Sequence, residues 1–242
     1  MTEASYLRAT RAAYDTVAVD YAELLKVELG EKPLDRAFLA AFAELVLAGG
    51  AGAAGVSGAA GVSGPAAAGA AAAGAAPVAD LGCGPDRVTA HLDGLGLHVF
   101  GVDLSPAMIE VARQAHPHLR FDEGSLTDLD VADGVLGGIV AWYSIIHTPP
   151  EDLPRIFAEF HRVLRADGQL LLAFQAGDER VRLEHAYGHA IELDAYRLAP
   201  DRIAALLAAA GFVVYARTLR EPSGPEKTQQ AYLMARKQGT TA

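Results

Sequence analysis

Short apolar segments alternate with helical segments between residues 77 and 175, and this alternation constrains the fold more than any other feature of the chain. The segment GGIVAWYS is a nearly continuous apolar run, which is typical of a strand buried on both faces of a sheet. The segment EDLPRIFAEFHRVLRADG instead spaces its large apolar residues along one face of a helix. Strands and helices that alternate in this way predict a parallel sheet with helices on both faces.

The two ends of the chain extend this α/β pattern. Apolar periodicity predicts one helix over residues 3–29 and a second over residues 33–48. Near the C-terminus it predicts a helix over residues 200–210, followed by the two strands FVVYARTLR and QAYLMARK. Only the short segment EPSGPEKTQ separates these strands, which leaves no room for a crossover helix, so we expect them to be antiparallel to each other.

An Ala/Gly-rich tract over residues 49–76 separates the N-terminal helices from the first strand. No charged residue occurs between Leu45 and Ala79, a stretch longer than the roughly 20 apolar residues that a membrane helix needs. The tract is rich in glycine, however, and each glycine costs a helix interior about 1 kcal/mol relative to alanine. We interpret it as a low-complexity linker between a helical cap over residues 1–48 and an α/β core over residues 77–237 of a single domain.

Composition excludes several classes of protein. The chain carries 20 basic and 30 acidic residues, a formal net charge of −10, whereas nucleic-acid binders more often present a basic face. The single cysteine, Cys83, allows no intrachain disulfide, which suits a reducing compartment. The first residues lack the apolar region of a secretory signal. We therefore expect a cytoplasmic protein that binds neither nucleic acid nor membrane, and the oligomeric state stays open.

The segment DLGCGPDR, residues 80–87, has the features of a ligand-binding turn after the first strand. Gly82 and Gly84 let the backbone approach a ligand closely. Asp103 follows at the end of the second strand, where an acidic side chain can accept hydrogen bonds from ribose hydroxyls. The dinucleotide fingerprint needs a glycine where Arg87 stands, so the loop favours a nucleoside ligand other than NAD or FAD.

Taken in order, the segments VADLGCGPD, VFGVDLSPAMIEVAR, FDEGSLTDLD, WYSIIHTPPE and EFHRVLRADGQLLLAF resemble class I S-adenosylmethionine-dependent methyltransferases that act on small molecules. The resemblance covers residues 77–236, and RAAYDTVAVDYAELL is similar to the helix that caps the cofactor. It implies a Rossmann-like, doubly wound sheet of seven strands, mostly parallel with one antiparallel strand, with helices on both faces and an N-terminal helical cap. It also implies S-adenosyl-L-methionine as the cofactor and methyl transfer to an oxygen, nitrogen or carbon atom of a small-molecule acceptor.

The resemblance also implies roles for individual residues. The residues that it assigns to the cofactor are Tyr14, Tyr21, Asp80, Gly82, Gly84, Asp103, Leu104, Met108, Gly124, Ser125 and Leu126. Tyr143, after the fourth strand, is expected to face the reactive end of the cofactor. Many members have an aspartate where Ser125 stands, so adenine recognition is expected to be looser here.

The acceptor pocket is predicted between the N-terminal helices, the end of the fourth strand and the polar stretch over residues 176–199. His147 is a candidate base because histidine titrates near neutral pH, although it could instead pack or cap the turn before Pro149. The candidate pocket side chains of the polar stretch are His185, Tyr187, His189 and Tyr196. His185 and His189 have the spacing of metal ligands, but no third ligand is evident, so no metal is predicted.

Asp86 departs from the family pattern, which usually has glycine at this position. The cofactor's carboxylate is expected to pass nearby, and two like unit charges about 4 Å apart repel by roughly 1 kcal/mol in water and about 4 kcal/mol at an intermediate dielectric. Alternatively, Asp86 is the N-cap of the following helix, or Arg87 neutralises it. Two rivals to methyl transfer therefore stay open: a binding module that has lost the cofactor, and an enzyme on the same fold that does not methylate.

Overall fold

The computed structural model describes residues 4–53 and 76–239. Its N-terminal helices are α1 (Ser5–Leu25), α2 (Glu28–Glu31) and α3 (Pro33–Ala53). The chain therefore breaks the first predicted helix after Leu25 and continues the second into the Ala/Gly tract, where alanine has the highest helix propensity. The rest of the predicted linker, residues 54–75, lies outside the described residues.

The core is a single large sheet, as predicted. The strands in chain order are β1 (Val78–Leu81), β2 (Val99–Asp103), β3 (Arg120–Glu123), β4 (Leu136–Trp142), β5 (Leu164–Gln175), β6 (Arg180–Ala186), β7 (His189–Tyr196), β8 (Phe212–Arg220) and β9 (Gln230–Lys237). Seven of them form one sheet in the order β3-β2-β1-β4-β5-β9-β8. Strand β9 runs antiparallel to both of its neighbours, and the pairs among β1 to β5 are parallel. The predicted fold class is confirmed.

Helices cover both faces of this sheet. They are α4 (Arg87–Gly94), α5 (Pro106–Ala115), α6 (Leu153–Val163) and α7 (Pro200–Ala209), and a short 3-10 helix spans Ile145–His147. One apolar cluster packs Phe157 and Phe160 of α6 against one face of the sheet. A second cluster packs Phe42 of α3 and Leu92 of α4 against the other face. In the described part of the chain, no helix is both long and apolar enough to cross a membrane.

The polar stretch over residues 176–199 forms an antiparallel β-hairpin of β6 and β7, which the sequence analysis did not predict. Its turn places Tyr187 and Gly188 at φ angles of 54° and 84°, the conformation of a two-residue hairpin loop. Ile191 and Leu193 of β7 pack against α1. The alternation of apolar and polar residues in HAIELDAY is the sequence signal for this strand.

Helix α1 is held against the carboxyl-terminal edge of the sheet by polar contacts. The Arg11 guanidinium donates a hydrogen bond to the Leu104 carbonyl at 3.1 Å. The Asp15 carboxylate accepts one from the Ser105 hydroxyl at 2.6 Å. Ser105 caps α5, as predicted, because its hydroxyl accepts from the Met108 amide at 3.1 Å. The cap helix is thereby fixed above the loop that follows β2.

Candidate functional site

A cavity opens at the carboxyl ends of β1, β2 and β4, beneath α1. Open α/β sheets bind their ligands at this edge. The sequence-predicted residues that line the cavity are Tyr14, Tyr21, Gly82, Gly84, Asp103, Leu104, Met108, Gly124, Ser125, Leu126, Tyr143 and His147. The lining residues for which no role was predicted are Tyr6, Leu7, Thr10, Thr127, Trp142, Ser144, Thr148 and Ile156. Tyr6, Thr10 and Tyr14 follow one another at four-residue spacing on α1, and this periodicity is the signal that could have found the first two.

The turn after β1 is a glycine loop that contains Gly82 and Gly84, and it brings the backbone close to the cavity. Gly82 and Gly84 adopt φ angles of 73° and 57°, in the left-handed region that favours glycine. A Cβ atom on Gly82 would lie 2.2 Å from the Cβ of Ser144, so no other residue fits here without a shift of the loop. The Gly84 amide donates a hydrogen bond to Oδ2 of Asp103 at 2.8 Å, which joins the two loops.

Asp103 presents a carboxylate with unused acceptor capacity at the cavity wall. Its Oδ1 accepts a hydrogen bond from the Ser105 amide at 2.8 Å, and its Oδ2 accepts from Gly84. Burial raises the pKa of Asp103, and these backbone hydrogen bonds oppose the rise. Because a carboxylate offers about four lone-pair sites, roughly two stay available to a ligand.

Asp80 lies beneath the glycine loop and does not line the cavity. It is fully buried in β1, and its Oδ2 accepts a hydrogen bond from the Thr89 hydroxyl at 2.7 Å. Its Oδ1 is buried without a hydrogen-bond partner. Burial raises the pKa of Asp80 to about 7, the Thr89 hydroxyl lowers it, and the nearby Asp103 raises it. The carboxyl group therefore joins β1 to α4 through Thr89 and does not reach the cavity wall.

His147 and Tyr14 form a hydrogen-bonded pair inside the cavity. The Tyr14 hydroxyl lies 2.7 Å from Nε2 of His147, and Nδ1 lies 2.9 Å from the backbone oxygen of Asp194 in β7. A carbonyl oxygen only accepts, so Nδ1 carries the proton and Nε2 of the neutral ring accepts from Tyr14. Burial lowers the pKa of His147, and the hydrogen bond to Asp194 opposes this. The ring is therefore held as a neutral base.

Tyr143 ends β4 in a strained backbone conformation. Its φ is 57°, a region where a residue other than glycine is uncommon. The Tyr143 amide donates to the Ala173 carbonyl at 2.8 Å, which anchors the strained residue to β5. Burial raises the pKa of its hydroxyl, so the side chain is neutral. Strain of this kind concentrates at functional sites, in agreement with the position of Tyr143 in the cavity wall.

The four side chains predicted to form the acceptor pocket do not line the cavity, because the hairpin directs them elsewhere. His185 is exposed, and His189 pairs with Asp20 of α1 at 2.6 Å. Tyr187 packs edge-on against Tyr21 with ring centroids 4.9 Å apart. Tyr196 lines a separate, smaller pocket. Among residues 4–53 and 76–239, no group of three His, Cys, Asp or Glu side chains is arranged to hold a metal ion.

Asp86 occupies the N-cap position of α4, where its carbonyl accepts from the Ala90 amide at 2.9 Å, and it does not line the cavity. Its side chain makes no capping hydrogen bond, and it lies 3.3 Å from Nε2 of His116. Arg87 does not neutralise it, because Arg87 pairs with Glu28. Burial raises the pKa of Asp86, and the charge of His116 lowers it. The predicted N-cap position is therefore confirmed, but the predicted contact of its side chain with backbone amides is wrong. The expected repulsion of a ligand carboxylate loses its geometric basis because Asp86 does not line the cavity.

The backbone at Asp86 predicts a stability difference between two substitutions. Asp86 has a φ of 120°, which is strained for any residue with a Cβ atom. Asp86→Gly and Asp86→Ala both lose the contact with His116, but only glycine relieves the strain. We expect the glycine variant to be about 1 kcal/mol more stable than the alanine variant in urea unfolding. Equal stabilities would show that the backbone carries no strain at this position.

The matched family agrees with this geometry. A family model described as a methyltransferase domain matches residues 78–168, from the first strand to the middle of β5. This segment is therefore similar to methyltransferase domains. The glycine loop, Asp103 and Tyr143 all lie within the matched segment, whereas α1 and the hairpin lie outside it.

Known proteins resemble the chain in part or along its whole length. A demethylmenaquinone methyltransferase from Chlorobaculum parvum is 33% identical over 92 residues, which cover 38% of this chain and 37% of that protein. The chain spans less than half the length of this relative and of an uncharacterized methyltransferase from Mycobacterium bovis that it also matches. The solved structure of magnesium protoporphyrin IX methyltransferase from Synechocystis has a TM-score of 0.61 at 16% identity and covers 98% of this chain and 99% of that one. A 4+2 cyclase has a TM-score of 0.54 at 15% identity over 67% of this chain and 74% of its own.

Proposed function

We propose that this protein transfers a methyl group from S-adenosyl-L-methionine to a small-molecule acceptor. The observation that carries the proposal is the cavity at the carboxyl ends of β1, β2 and β4, where the glycine loop, Asp103 and the tyrosines of α1 meet. When bound, the cofactor supplies a methyl group on a positively charged sulfur, which keeps the bonding electron pair when the methyl group leaves.

The residues of the cavity fit this cofactor. Gly82 and Gly84 leave a space that a Cβ atom would fill, and the amino-acid part of the cofactor would lie there. Asp103 would hold the ribose hydroxyls with the acceptor sites that its loop contacts leave free. Leu104 and Met108 would lie against the adenosine, and Ser125 and Leu126 would flank the adenine.

The protein has little chemistry to add to an already activated methyl group. Its main tasks are to align the acceptor with the cofactor and to exclude water, and α1 performs both because it forms the roof of the cavity. A base is needed only where the acceptor loses a proton. The neutral ring of His147 meets the requirement for such a base.

A small-molecule acceptor in the cytoplasm agrees best with the remaining observations. Aromatic and aliphatic side chains line much of the cavity, with a few polar groups among them, as is typical of small-molecule sites. The net charge of −10 disfavours a nucleic-acid substrate. We therefore propose that the protein acts on a small molecule and not on nucleic acid or at a membrane.

Calorimetric titration with S-adenosylmethionine, and separately with S-adenosylhomocysteine, tests the proposal. We expect micromolar binding of both, and Asp103→Ala is expected to weaken it at least 100-fold, because two charge-assisted hydrogen bonds are worth roughly 3 kcal/mol or more. Asp201→Ala removes an exposed carboxylate of α7 and is the matched control. The absence of binding at millimolar ligand would favour a binding module, and binding without methyl transfer to any acceptor would favour an enzyme that does not methylate.

A further inference from the structure

The chemistry of the cavity wall restricts the acceptor. The aromatic side chains of the wall are Tyr6, Tyr14, Tyr21, Trp142 and Tyr143. Most of its remaining polar side chains are the hydroxyls of Thr10, Ser125, Thr127, Ser144 and Thr148. The wall contains the carboxylate of Asp103 and, among the described residues, no lysine or arginine. The side chains of the wall offer an anionic acceptor no countercharge, whereas they offer a neutral aromatic ring other rings to pack against.

The Tyr14–His147 pair gives the cavity a directed path for a proton. The Asp194 carbonyl only accepts, so Nδ1 of His147 donates to it and Nε2 of His147 accepts from Tyr14. Each donor of the pair therefore lies nearer the cavity than its acceptor. Tyr14 lines the cavity and donates to Nε2 of His147, and its oxygen keeps lone pairs that can accept a second hydrogen bond. A hydroxyl group of a ligand can therefore donate to Tyr14, and its proton can reach His147 without any rearrangement of the two side chains.

The strength of this base selects among hydroxyl compounds. An unperturbed histidine has a pKa of about 6.5, and burial lowers that of His147. A phenolic hydroxyl with a pKa of about 10 lies within reach of such a base. An aliphatic alcohol is a much weaker acid than a phenol, so its proton passes to such a base less favourably. Base strength and wall chemistry thus point to the same class of acceptor.

We infer that the acceptor is a neutral aromatic compound with a phenolic or enolic hydroxyl that donates its hydrogen bond to Tyr14. The inference rests on the proposed function. As the acceptor oxygen bonds to the methyl group, its O–H bond breaks and the proton passes to the Tyr14 oxygen. The original proton of Tyr14 passes at the same time to Nε2 of His147, so Tyr14 ends neutral and His147 ends as imidazolium. Tyr14 is the catalytic residue, and His147 acts through it.

Three probes with one ring system test the inference on the full chain: 2-naphthol, naphthalene and 2-naphthoate. Binding is measured by fluorescence, with and without S-adenosylhomocysteine. We expect 2-naphthol to bind at least 10-fold more tightly than 2-naphthoate and about 5-fold more tightly than naphthalene, as one hydrogen bond allows. In Tyr14→Phe, 2-naphthol and naphthalene should bind equally. The near-isosteric change keeps the ring, and a thermal unfolding curve checks that the variant is folded.

The proton step has a separate readout. With 2-naphthol as acceptor, kcat/KM is expected to fall tenfold per pH unit below the pKa of His147 in the wild type, and His147→Gln is expected to lose this limb of the pH profile. Tyr14→Phe is expected to lower kcat about 100-fold or more. If His147 has only a structural role, His147→Gln would leave the shape of the pH profile unchanged. That result would overturn the proton transfer through Tyr14 to His147.

The failure of the inference and the failure of the proposed function give different results. Binding of S-adenosylhomocysteine together with equal or tighter binding of 2-naphthoate would overturn the neutral phenolic acceptor and leave methyl transfer in place. A preference for 2-naphthol that persists in Tyr14→Phe would overturn the role of Tyr14. A preference that depends on Tyr14, without any binding of S-adenosylhomocysteine, would support the hydroxyl site and contradict the proposed cofactor-dependent function.

Discussion

Gly82→Ala is expected to raise the Kd for S-adenosylmethionine at least 100-fold. The new Cβ would lie 2.2 Å from the Cβ of Ser144, an atom that no side-chain rotation can move away. Alanine at a φ of 73° is also strained. The loop must shift to relieve the clash with Ser144 and the backbone strain. This shift would separate the Gly84 amide from Asp103. Calorimetric titration of the purified variant measures the loss.

Two further variants separate this contact from a general effect of alanine. Gly94→Ala places a Cβ at the end of α4, where nothing lies within 4 Å, so cofactor binding should be unchanged. Its stability should rise by up to about 1 kcal/mol because alanine favours helix. The double variant Gly82→Ala with Ser144→Gly removes the clashing atom and should recover part of the affinity. Wild-type affinity in the single variant would mean that the cofactor does not depend on this loop.

The central sheet could be predicted from the sequence because its strands have local sequence signals. Buried parallel strands are continuous apolar runs, and the helices between them show a 3.6-residue period that the same residues cannot satisfy as strands. The hairpin of β6 and β7 escaped prediction for the converse reason. Its strands carry charged residues at alternate positions, and Ile191 and Leu193 of β7 pack against α1 and not in the main core.

The site was predictable where topology alone brings residues together. Gly82 and Asp103 follow adjacent parallel strands, so any sheet of this order places them side by side. The contacts of Asp86 and His147 were not predictable, because Asp86 meets His116 of another loop and His147 meets an oxygen of the hairpin. Such pairings depend on how separate elements pack, and no local pattern reports them.

The free energy of unfolding of Asp80→Asn is expected to rise relative to that of the wild type by about 4 kcal/mol between pH 4 and pH 8. Burial raises the pKa of Asp80 from its ordinary value of 3.8 to about 7 in the folded protein. Between these values the folded protein holds a proton that the unfolded chain has released, so stability falls as the pH rises. Each pKa unit is worth about 1.4 kcal/mol, and the loss is complete above about pH 7. Asparagine binds no proton and is free of this loss.

Urea unfolding of both proteins across this pH range measures the stability difference. Thr89→Val removes the hydroxyl that stabilises the ionised carboxylate, and it should extend the pH-dependent loss to higher pH. A stability difference that stays constant between pH 4 and pH 8 would show that the fold accepts a charged Asp80. Saturating S-adenosylmethionine adds a further distinction. A cofactor ammonium in contact with Asp80 would favour the ionised carboxylate and reduce the stability difference between the two proteins above pH 7. If Asp80 does not contact the cofactor, the stability difference would stay unchanged.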